Sequence, residues 1–300
     1  MFDPRYLWIG FRQLLCRQAL PRTPETSGVS SGELQSEHYS SVLKTSMALL
    51  YALALDDLRQ RLPGGGSGLS VLELCCGPGR FSVLAARMLG VASWLGVDLS
   101  RPMLNSATAH ARANGFDGRL RFDEMDITGI ATALQGRKFD LVLFMNGAHH
   151  LGNPETVRDV LRQASDLCAP GGLVYVMDPI RPRNGDQVEL LVSISRSQAE
   201  APGLTEFHRD YQESLHASFT AAEFVRLAPE GTGRRWIHRS PGLVPSCQIL
   251  IGQPEGRRPD RGRGLSPGEI AEIVPPGLRT QFRLLRFDFW LSALARSCRR

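Results

Sequence analysis

The sequence predicts an α/β protein with a doubly wound, mostly parallel sheet. Short apolar runs and helical segments alternate from Leu69 to Pro179, which is typical of strands joined by crossover helices. A glycine-containing turn between Leu74 and Arg80 follows the first run, as it does where a strand leads into a helix in such a sheet. With 300 residues, of which 42% are apolar, the chain suits one large domain or one domain with appendages.

The region before the first strand is predicted to be helical. Leu7 to Leu20 is predicted as a short apolar helix, followed by a linker rich in Pro, Ser and Gly. This arm is expected to pack on the domain; the alternatives are an oligomer contact or a lid. Glu33 to Leu62 is predicted as a long helix that Pro63 to Gly68 ends. His38 and Tyr39 are expected either to close over a ligand or to lie at an exposed helix start.

The first strand and its turn predict a cofactor site. Val71 to Leu74 is an apolar run that includes Glu73, and Cys75 to Gly79 is a tight turn before a helix that starts near Arg80. A strand, a close-approach loop and a helix N-terminus together form a cradle for a nucleoside-bearing cofactor. Glycines are needed in such a loop because a Cβ atom would keep the backbone away from the ligand.

The second strand, Ala92 to Asp98, ends in an acid that can accept hydrogen bonds from both ribose hydroxyls. Gly77 and Gly79 form a G-x-G pattern, but Ser82 stands at the third glycine position. The spacing between Gly79 and Asp98 also fits a dinucleotide site. A nicotinamide-dependent oxidoreductase therefore stays open on these two elements.

Three further strands follow in order. Leu120 to Ile127 contains the third strand and the acid Asp126, and Phe139 to Asn146 is a fourth strand that ends in a polar residue. A turn at Cys168 to Gly172 leads into the fifth strand, Leu173 to Pro179. The crossover helices between strands are predicted at Ala85 to Leu89, Pro102 to Ala113 and Pro154 to Leu167.

As a set, these motifs resemble the class I S-adenosylmethionine (SAM) dependent methyltransferases, over roughly Tyr39 to Gly252. The resemblance implies a Rossmann-like sheet of seven strands with SAM as cofactor. It also implies methyl transfer to a small organic acceptor of the natural-product or quinone type. A closing antiparallel hairpin is implied as well, and Trp236 to Arg239 and Cys247 to Ile251 are its expected strands.

The resemblance also implies roles for residues at the methionine and ribose ends of SAM. Glu73 would orient the loop and the methionine end, and Gly77 and Gly79 would let the backbone approach that end. Asp98 would hold the ribose hydroxyls. Asn146 and its neighbours would line the amino-acid end near the transferred methyl group.

Four more residues complete the predicted cofactor site. Asp126 would accept a hydrogen bond from the adenine amino group while Ile127 donates its backbone amide, and Leu99 lies beside the ribose-binding acid. Cys75 stands where the family usually has glycine, and it fits if its backbone dihedral angles are ordinary β values. The predicted cofactor-binding residues are Glu73, Cys75, Gly77, Gly79, Asp98, Leu99, Asp126, Ile127 and Asn146.

Methyl transfer from SAM needs alignment of the reactants and exclusion of water more than a catalytic motif. A base is needed only if the nucleophile arrives protonated. His149 and His150 follow the fourth strand and are the best candidates, because histidine takes up protons near neutral pH. The alternative is structural, with one histidine packed under the loop and the other capping a helix. Tyr211 and His216 are the second candidates, as residues that touch the acceptor.

The rest of the chain is predicted to add helices around this domain. Asp186 to Ala199 is predicted as one helix, and Thr205 to Leu227 as a helical region broken near Ser218. Thr220 and Glu223 fit a capping box. The predicted division is an N-terminal helical arm with a lead-in helix at 1–68, a SAM-binding domain at 69–252 with a helical substrate insert at about 180–230, and a C-terminal tail at 253–300.

In the tail, residues 253–277 are rich in Arg, Gly and Pro and are expected to be flexible. Leu278 to Arg300 is predicted as a basic helix with a broad apolar stripe. The helix is expected to dock on the domain. The alternative is a helix that binds a membrane surface or a protein partner.

Composition limits the class of protein further. The net charge is +5, but the arginine-rich core shows no concentrated basic face, so a nucleic-acid partner is not predicted. Neither a membrane-spanning run nor a signal peptide is predicted. No H-x-x-x-H or paired Cys/His spacing occurs, so no metal site is predicted. The six scattered cysteines favour a reduced, cytoplasmic setting. A non-catalytic partner or sensor of the same fold is a further alternative, and the oligomeric state stays open.

Overall fold

A seven-stranded sheet forms the centre of the molecule. The computed structural model describes residues 3–16, 20–25, 46–198, 204–242, 247–256 and 262–297. The strands are β1 (Ser70–Leu74), β2 (Ser93–Asp98), β3 (Leu120–Glu124), β4 (Phe139–Met145), β5 (Cys168–Pro179), β6 (Arg234–Arg239) and β7 (Cys247–Pro254). Their order is β3-β2-β1-β4-β5-β7-β6, with β7 antiparallel to both of its neighbours. The predicted sheet and its closing hairpin are confirmed.

Helices cover both faces of this sheet. They are α1 (Arg5–Leu15), α2 (Ser46–Arg61), α3 (Arg80–Leu89), α4 (Arg101–Ala113), α5 (Ile130–Ala133), α6 (Pro154–Leu167), α7 (Gly185–Gln198), α8 (Leu204–Ala217), α9 (Ala221–Arg226), α10 (Pro267–Ile273) and α11 (Arg279–Ser297). Because successive strand residues point to opposite faces, Val71 packs in an apolar cluster with α2, α3 and α11. Leu72 packs in a second cluster with α6 and α9.

Local sequence explains the ends of the crossover helices. The Asn153 side chain accepts a hydrogen bond from the Glu155 amide at the start of α6, and Pro154 takes the first helical position. Gly79 and Gly90 bracket α3 with φ angles of 67° and 66°. These left-handed values are ones that glycine adopts without a steric penalty.

The N-terminal helix is shorter than predicted. It ends at Leu15 rather than Leu20, because the backbone at Cys16 is extended. Ile9 of this helix is fully buried, in a third apolar cluster with α7 and α8. The predicted lead-in helix is described from Ser46 onward. Its predicted part from Glu33 to residue 45 lies outside the described residues, as do His38 and Tyr39.

The helical insert after β5 follows the sequence prediction closely. The structure places α7 at Gly185–Gln198 and divides the next helical region into α8 and α9 around Ser218. Thr220 and Glu223 form the predicted capping box at the start of α9.

The prediction that residues 253–277 are flexible is wrong for most of the part that the structure describes. Gln253 and Pro254 belong to β7, and Leu265 and Val274 are buried. Helix α10 starts with a capping box between Ser266 and Glu269, and Glu269 also accepts a bond from Arg59 of α2. Burial of apolar residues on α2 therefore orders a segment whose composition suggested a linker.

The C-terminal helix has two different apolar faces. One face is buried in the cluster with α2 and consists of Phe282, Leu285 and Phe289. The opposite face exposes Leu284, Phe287, Trp290 and Leu291. The docking of α11 on the domain explains why its first face is buried. Across the described residues, no helix combines the length and the apolarity that crossing a membrane requires.

Candidate active site

The carboxyl ends of β1, β2, β4 and β5 meet at one edge of the sheet, where ligands of open α/β sheets bind. The order of the sheet reverses there, since β1 lies between β2 and β4. The turn after β1 and the loop after β4 are therefore neighbours. Most of the residues predicted for the site lie on these two segments or at the end of β2.

The turn after β1 contains three residues with left-handed backbone. Their φ angles are 54° at Cys75, 52° at Gly77 and 67° at Gly79. Cys75 therefore does not have the ordinary β dihedral angles that were expected for a side chain at this position. A left-handed conformation is disfavoured for any residue with a Cβ atom, which is the physical reason that glycine is common there.

The two glycines of this turn have different surroundings. A Cβ atom placed on Gly77 would meet no atom within 4 Å, so this residue borders open space. A Cβ atom on Gly79 would lie 2.8 Å from Cβ of Ala107 in α4. Gly77 thus leaves its side of the turn accessible, while Gly79 allows α3 and α4 to pack closely.

Asp98 fixes the turn against the end of β2. Its Oδ2 accepts a hydrogen bond of 2.9 Å from the Gly77 amide, and its Oδ1 accepts one of 2.9 Å from the Ser100 amide. A carboxylate has about four acceptor positions, so each oxygen keeps capacity for a hydroxyl donor. The adjacent Leu99 side chain is 67% exposed. An acid beside an open glycine turn is the arrangement that holds a ribose.

Glu73 lies beneath the turn and is buried. Its carboxyl group accepts hydrogen bonds from Ser82 Oγ of α3 and, at 3.1 Å, from Trp94 Nε1 of β2. Burial raises the pKa of Glu73 to about 8, and the two hydrogen bonds offset part of that effect. The contacts of Glu73 therefore link β1, β2 and α3 inside the protein.

Asp126 and Ile127 lie at the predicted adenine end. Asp126 is exposed, and its Oδ1 accepts hydrogen bonds of 2.8 Å from both the amide and the hydroxyl of Thr128. Ile127 is buried in the cluster of the second face. Both of these bonds go to Oδ1, so Oδ2 of Asp126 is the oxygen that Thr128 does not use.

The loop after β4 packs directly on the turn after β1. Asn146 has a φ angle of 52°, and its amide donates a 2.7 Å hydrogen bond to the Met177 carbonyl of β5. A Cβ atom on Gly147 would lie 2.6 Å from Phe144 and 2.9 Å from Cβ of Cys75. Glycine at 147 thus permits the contact that brings His149 close to the cofactor turn.

His149 is buried and paired with an acid. Its Nδ1 lies 2.8 Å from Oδ1 of Asp178, at the end of β5. Burial lowers the pKa of His149, but Asp178 and Glu25 together outweigh burial, so the pKa is raised. An acid on Nδ1 holds the imidazole ring in place and leaves Nε2 as the atom available for chemistry.

Glu25 reaches the histidines from the N-terminal segment. Its Oε2 lies 2.6 Å from Nδ1 of His150, and its Oε1 accepts a 2.7 Å hydrogen bond from Ser214 of α8. Burial raises the pKa of Glu25, but the bond to His150 and the charges of both histidines outweigh burial and lower the pKa. Arg22 holds the segment by donating to the carbonyls of His149, Leu151, Gly152 and Ala217.

A cavity of about 1090 Å³, including its open mouth, begins at Asn146 and His149. Tyr211 also lines it and stacks on Phe207, and burial raises the pKa of this tyrosine. The apolar lining includes Tyr6, Leu50, Pro179, Leu191, Phe207 and Leu285. Three predicted site residues thus meet at one cavity. His150 lies beside the cavity, and His216 instead offers its carbonyl to the Thr23 amide.

Two residues of this cluster were not predicted as site residues. Asp178 ends a predicted strand, and that position is itself a usable signal in an α/β sheet. Glu25 stands in a segment without periodicity, far from His149 along the chain. No local pattern could have identified it.

Residues 71–172 match the protein family described as "Methyltransferase domain". The ubiquinone biosynthesis O-methyltransferase of Rhizobium etli (strain CIAT 652) is 33% identical over 39% of this chain and 44% of that protein. The protein of the same name from Ruegeria pomeroyi is 37% identical over 36% of this chain and 40% of that protein. The chain thus spans less than half the length of these curated relatives.

Two solved structures share the fold at lower identity. The plantazolicin methyltransferase BpumL, in complex with SAH, is 16% identical with a TM-score of 0.55, over 74% of this chain and 90% of that one. A putative O-methyltransferase from Nostoc punctiforme is 20% identical with a TM-score of 0.52, over 84% of this chain and 70% of that one. The predicted fold class and the predicted resemblance to class I methyltransferases are confirmed.

Proposed function

We propose, on the premise that residues 71–172 form a methyltransferase domain, that this protein transfers a methyl group from SAM to a small organic acceptor. The observation that carries the proposal is the position of the cavity. Asn146 and His149 line it, and they flank Gly147, which packs on Cys75 of the glycine turn. The proposal therefore places the acceptor next to the cofactor, as methyl transfer requires.

The residues at the sheet edge fit SAM. Gly77 borders open space, and its amide and that of Ser100 fix the Asp98 carboxylate at the end of β2. Asp98 is therefore proposed to hold the ribose, and Asp126 the adenine amino group. Asn146 is proposed to lie at the amino-acid end. The contacts of Glu73 with Ser82 and Trp94 support a role in orienting the turn.

The acceptor is proposed to be a largely apolar small molecule, of the natural-product or quinone type. Apolar side chains from α1, α2, α7, α8 and α11 line most of the cavity. Its polar groups lie mainly at the His149 end and on α8. Such a cavity orients an apolar body with few polar contacts. The names of the matched relatives, which concern ubiquinone biosynthesis, support the same class of acceptor.

His149 is the proposed proton acceptor. SAM supplies a methyl group that its sulfonium already activates, so the chain needs only to align the acceptor, exclude water and take a proton where the acceptor carries one. Asp178 holds Nδ1 of His149 and leaves Nε2 for that proton. Replacement of His149 by Asn is expected to lower turnover by about 10²–10⁴-fold if the acceptor is protonated.

Calorimetry with SAM and its demethylated product tests the cofactor site. Asp98→Ala is expected to weaken SAM binding by about 1–3 kcal/mol, because a ribose hydroxyl loses its charged acceptor. The exposed Asp117, changed to Ala, is the matched control. A folded wild-type protein that binds neither compound at millimolar concentration would contradict the proposal.

Two measurements separate the alternatives. Binding of NAD(P)H, followed by nicotinamide fluorescence, would support the oxidoreductase, which has no support among the matched proteins. SAM binding without methyl transfer to any tested quinol or phenol would favour a sensor or partner subunit.

A cytoplasmic location is part of the proposal. It is supported by five free cysteines among the described residues, namely Cys16, Cys75, Cys76, Cys168 and Cys247.

A further inference from the structure

Three side chains next to the cavity bring nitrogen and oxygen donors to one point. Donor atoms of Glu25, His149 and His150 all lie within 4.8 Å of one another. Nε2 of His149 is 3.7 Å from Oε1 of Glu25, and Nδ1 of His150 is 2.6 Å from Oε2. The three donors come from two segments that only the fold brings together. Ligand atoms on one tetrahedral Zn²⁺ lie about 3.3 Å apart, a value between these two distances, so small side-chain shifts would admit an ion.

The residues around the cluster hold its side chains in place, as the neighbours of metal ligands do. Asp178 is fully buried and binds Nδ1 of His149, so the Nε2 lone pair faces Glu25. A carboxylate on the second nitrogen is the usual support of a metal-binding histidine. Ser214 in turn binds Oε1 of Glu25. The ring and the carboxylate are thus both held in place.

Two carboxylates, those of Glu25 and Asp178, lie against the histidines of the cluster. Oδ2 of Asp178 has no hydrogen-bond partner among the described residues. The Arg22 guanidinium interacts electrostatically with both carboxylates, but its hydrogen bonds run to the backbone carbonyls of His149, Leu151, Gly152 and Ala217. A divalent cation between Glu25 and the histidines would therefore bind next to two carboxylates.

We propose that Glu25, His149 and His150 bind a divalent transition-metal ion such as Zn²⁺. Two imidazoles and one carboxylate are a ligand set that Zn²⁺ accepts, whereas Mg²⁺ and Ca²⁺ prefer oxygen ligands alone. Three protein ligands leave a further position open, as in catalytic zinc sites. Because His149 lines the cavity, the ion would lie beside an acceptor bound there.

What this inference says about the acceptor rests on the proposed function. With the ion bound, Nε2 of His149 is a ligand and no longer takes a proton. An acceptor hydroxyl on the open position would have a lowered pKa and would release its proton to solvent. Its oxygen would then form the new bond to the methyl carbon as the carbon–sulfur bond breaks, with the electron pair leaving on sulfur. The proposed acceptor class is therefore a phenol or enol, methylated on oxygen.

Titration of the chelator-treated, full-length protein with ZnCl₂ tests the site without cofactor or acceptor. One equivalent per chain is expected to bind. His150→Ala and Glu25→Gln are each expected to weaken Zn²⁺ binding by about 100-fold, and Asp178→Asn by about 10–100-fold. His110→Ala, on α4, is the matched control and should leave the affinity unchanged. Co²⁺ provides a second probe, because its visible absorption should change in the His150→Ala variant.

Three outcomes would overturn the inference. These are less than a tenth of an equivalent of Zn²⁺ bound, equal affinity in the His150→Ala and His110→Ala proteins, or an unchanged Co²⁺ spectrum in the His150→Ala protein. Glu25→Gln preserves side-chain size, so it gives an answer even if a truncated variant unfolds. SAM titration of the same chelator-treated protein tests the proposed function separately, since Asp98 and Gly77 lie outside the metal cluster.

Discussion

The turn after β1 shows how one residue can retain a conformation that its side chain disfavours. Cys75 has a left-handed backbone, although it carries a Cβ atom that packs against Gly147. A left-handed residue other than glycine costs about 1–2 kcal/mol. The surrounding contacts of β1 and β4 must hold Cys75 in this state. The strain is local to the cofactor turn, where strained backbone is often found.

Exchange of Cys75 for Gly and for Ala measures this strain. Both variants remove the sulfur atom, but only Ala keeps the Cβ atom. We expect the Gly variant to be more stable than the Ala variant by about 1 kcal/mol in urea unfolding. At Cys247, a buried residue in the extended strand β7, the order should reverse. Equal stability of the two Cys75 variants would show that the turn relaxes.

Glu73 makes stability depend on pH. Its pKa in the folded protein is about 8, above the ordinary 4.5, because burial favours the neutral form. Between these values the folded state holds one more proton than the unfolded state, so the contribution of Glu73 is fully present below about pH 4.5 and is lost as the pH rises toward 8. The slope is about 1.4 kcal/mol per pH unit.

We expect Glu73→Gln to remove this dependence. Its free energy of unfolding, relative to wild type, should rise steadily between about pH 5 and about pH 8, because the amide does not titrate. Urea unfolding across this range gives the difference directly, and titration of other groups cancels in it. Glu272→Gln on the exposed side of α10 is the control. Parallel stability curves for wild type and Glu73→Gln would refute the assignment.

At the scale of elements, the turn that leads into α3 is closely packed at one glycine and open at the other. Gly79 permits close contact with Ala107 of α4, whereas Gly77 borders open space. Two neighbouring glycines in one motif therefore have separable roles. The difference depends on the neighbour that each glycine faces, and the G-x-G pattern carries no information about those neighbours.

Alanine at each glycine separates the two roles. Gly79→Ala is expected to cost about 3 kcal/mol of stability, because a Cβ atom at 2.8 Å from Ala107 adds a clash to the left-handed strain. Gly77→Ala should cost only about 1 kcal/mol but weaken SAM binding. Thermal unfolding and calorimetry on both variants check this. The opposite pattern would place the ligand against Gly79.

At the scale of the whole molecule, the cavity lies between the core domain and two terminal helices. Tyr6 of α1 and Leu285 of α11 both line it. Each of these helices also exposes large apolar residues: Leu7, Trp8, Phe11 and Leu15 on α1, and Leu284, Phe287, Trp290 and Leu291 on α11. The exposed Arg283 lies within the exposed face of α11. An apolar, aromatic face with an arginine beside it is consistent with the predicted alternative of a membrane-surface contact.

Vesicle sedimentation tests that prediction. The wild-type protein is expected to bind vesicles that contain anionic lipid, reversibly and more weakly as salt is added. Phe287→Asp combined with Trp290→Asp should reduce the bound fraction several-fold. Val225→Asp, at an exposed apolar residue of α9, is the matched control. Wild-type protein that stays in solution, or equal loss in the control, would argue against a membrane role for α11.

The order of elements was predictable because its signals are local. Alternating apolar runs and helices predicted five parallel strands, and the family resemblance implied the closing hairpin. The helical region at 205–227 was predicted with its break near Ser218. The start of α6 follows from Asn153 and Pro154, which are adjacent in the chain. The segment at 262–277 was mispredicted because its Arg, Gly and Pro content says nothing about the groove on α2 that buries Leu265 and Val274.

The sequence by itself determined the sheet, the glycine turn and the acid that faces it, because strand periodicity and turn chemistry are properties of neighbouring residues. Only the tertiary structure decided that Asp178 supports His149 and that Glu25 reaches His150. Those pairs are separated by 29 and 125 positions in the chain. They meet because apolar faces pack and strand ends align, and no local pattern records which distant side chain such packing brings near.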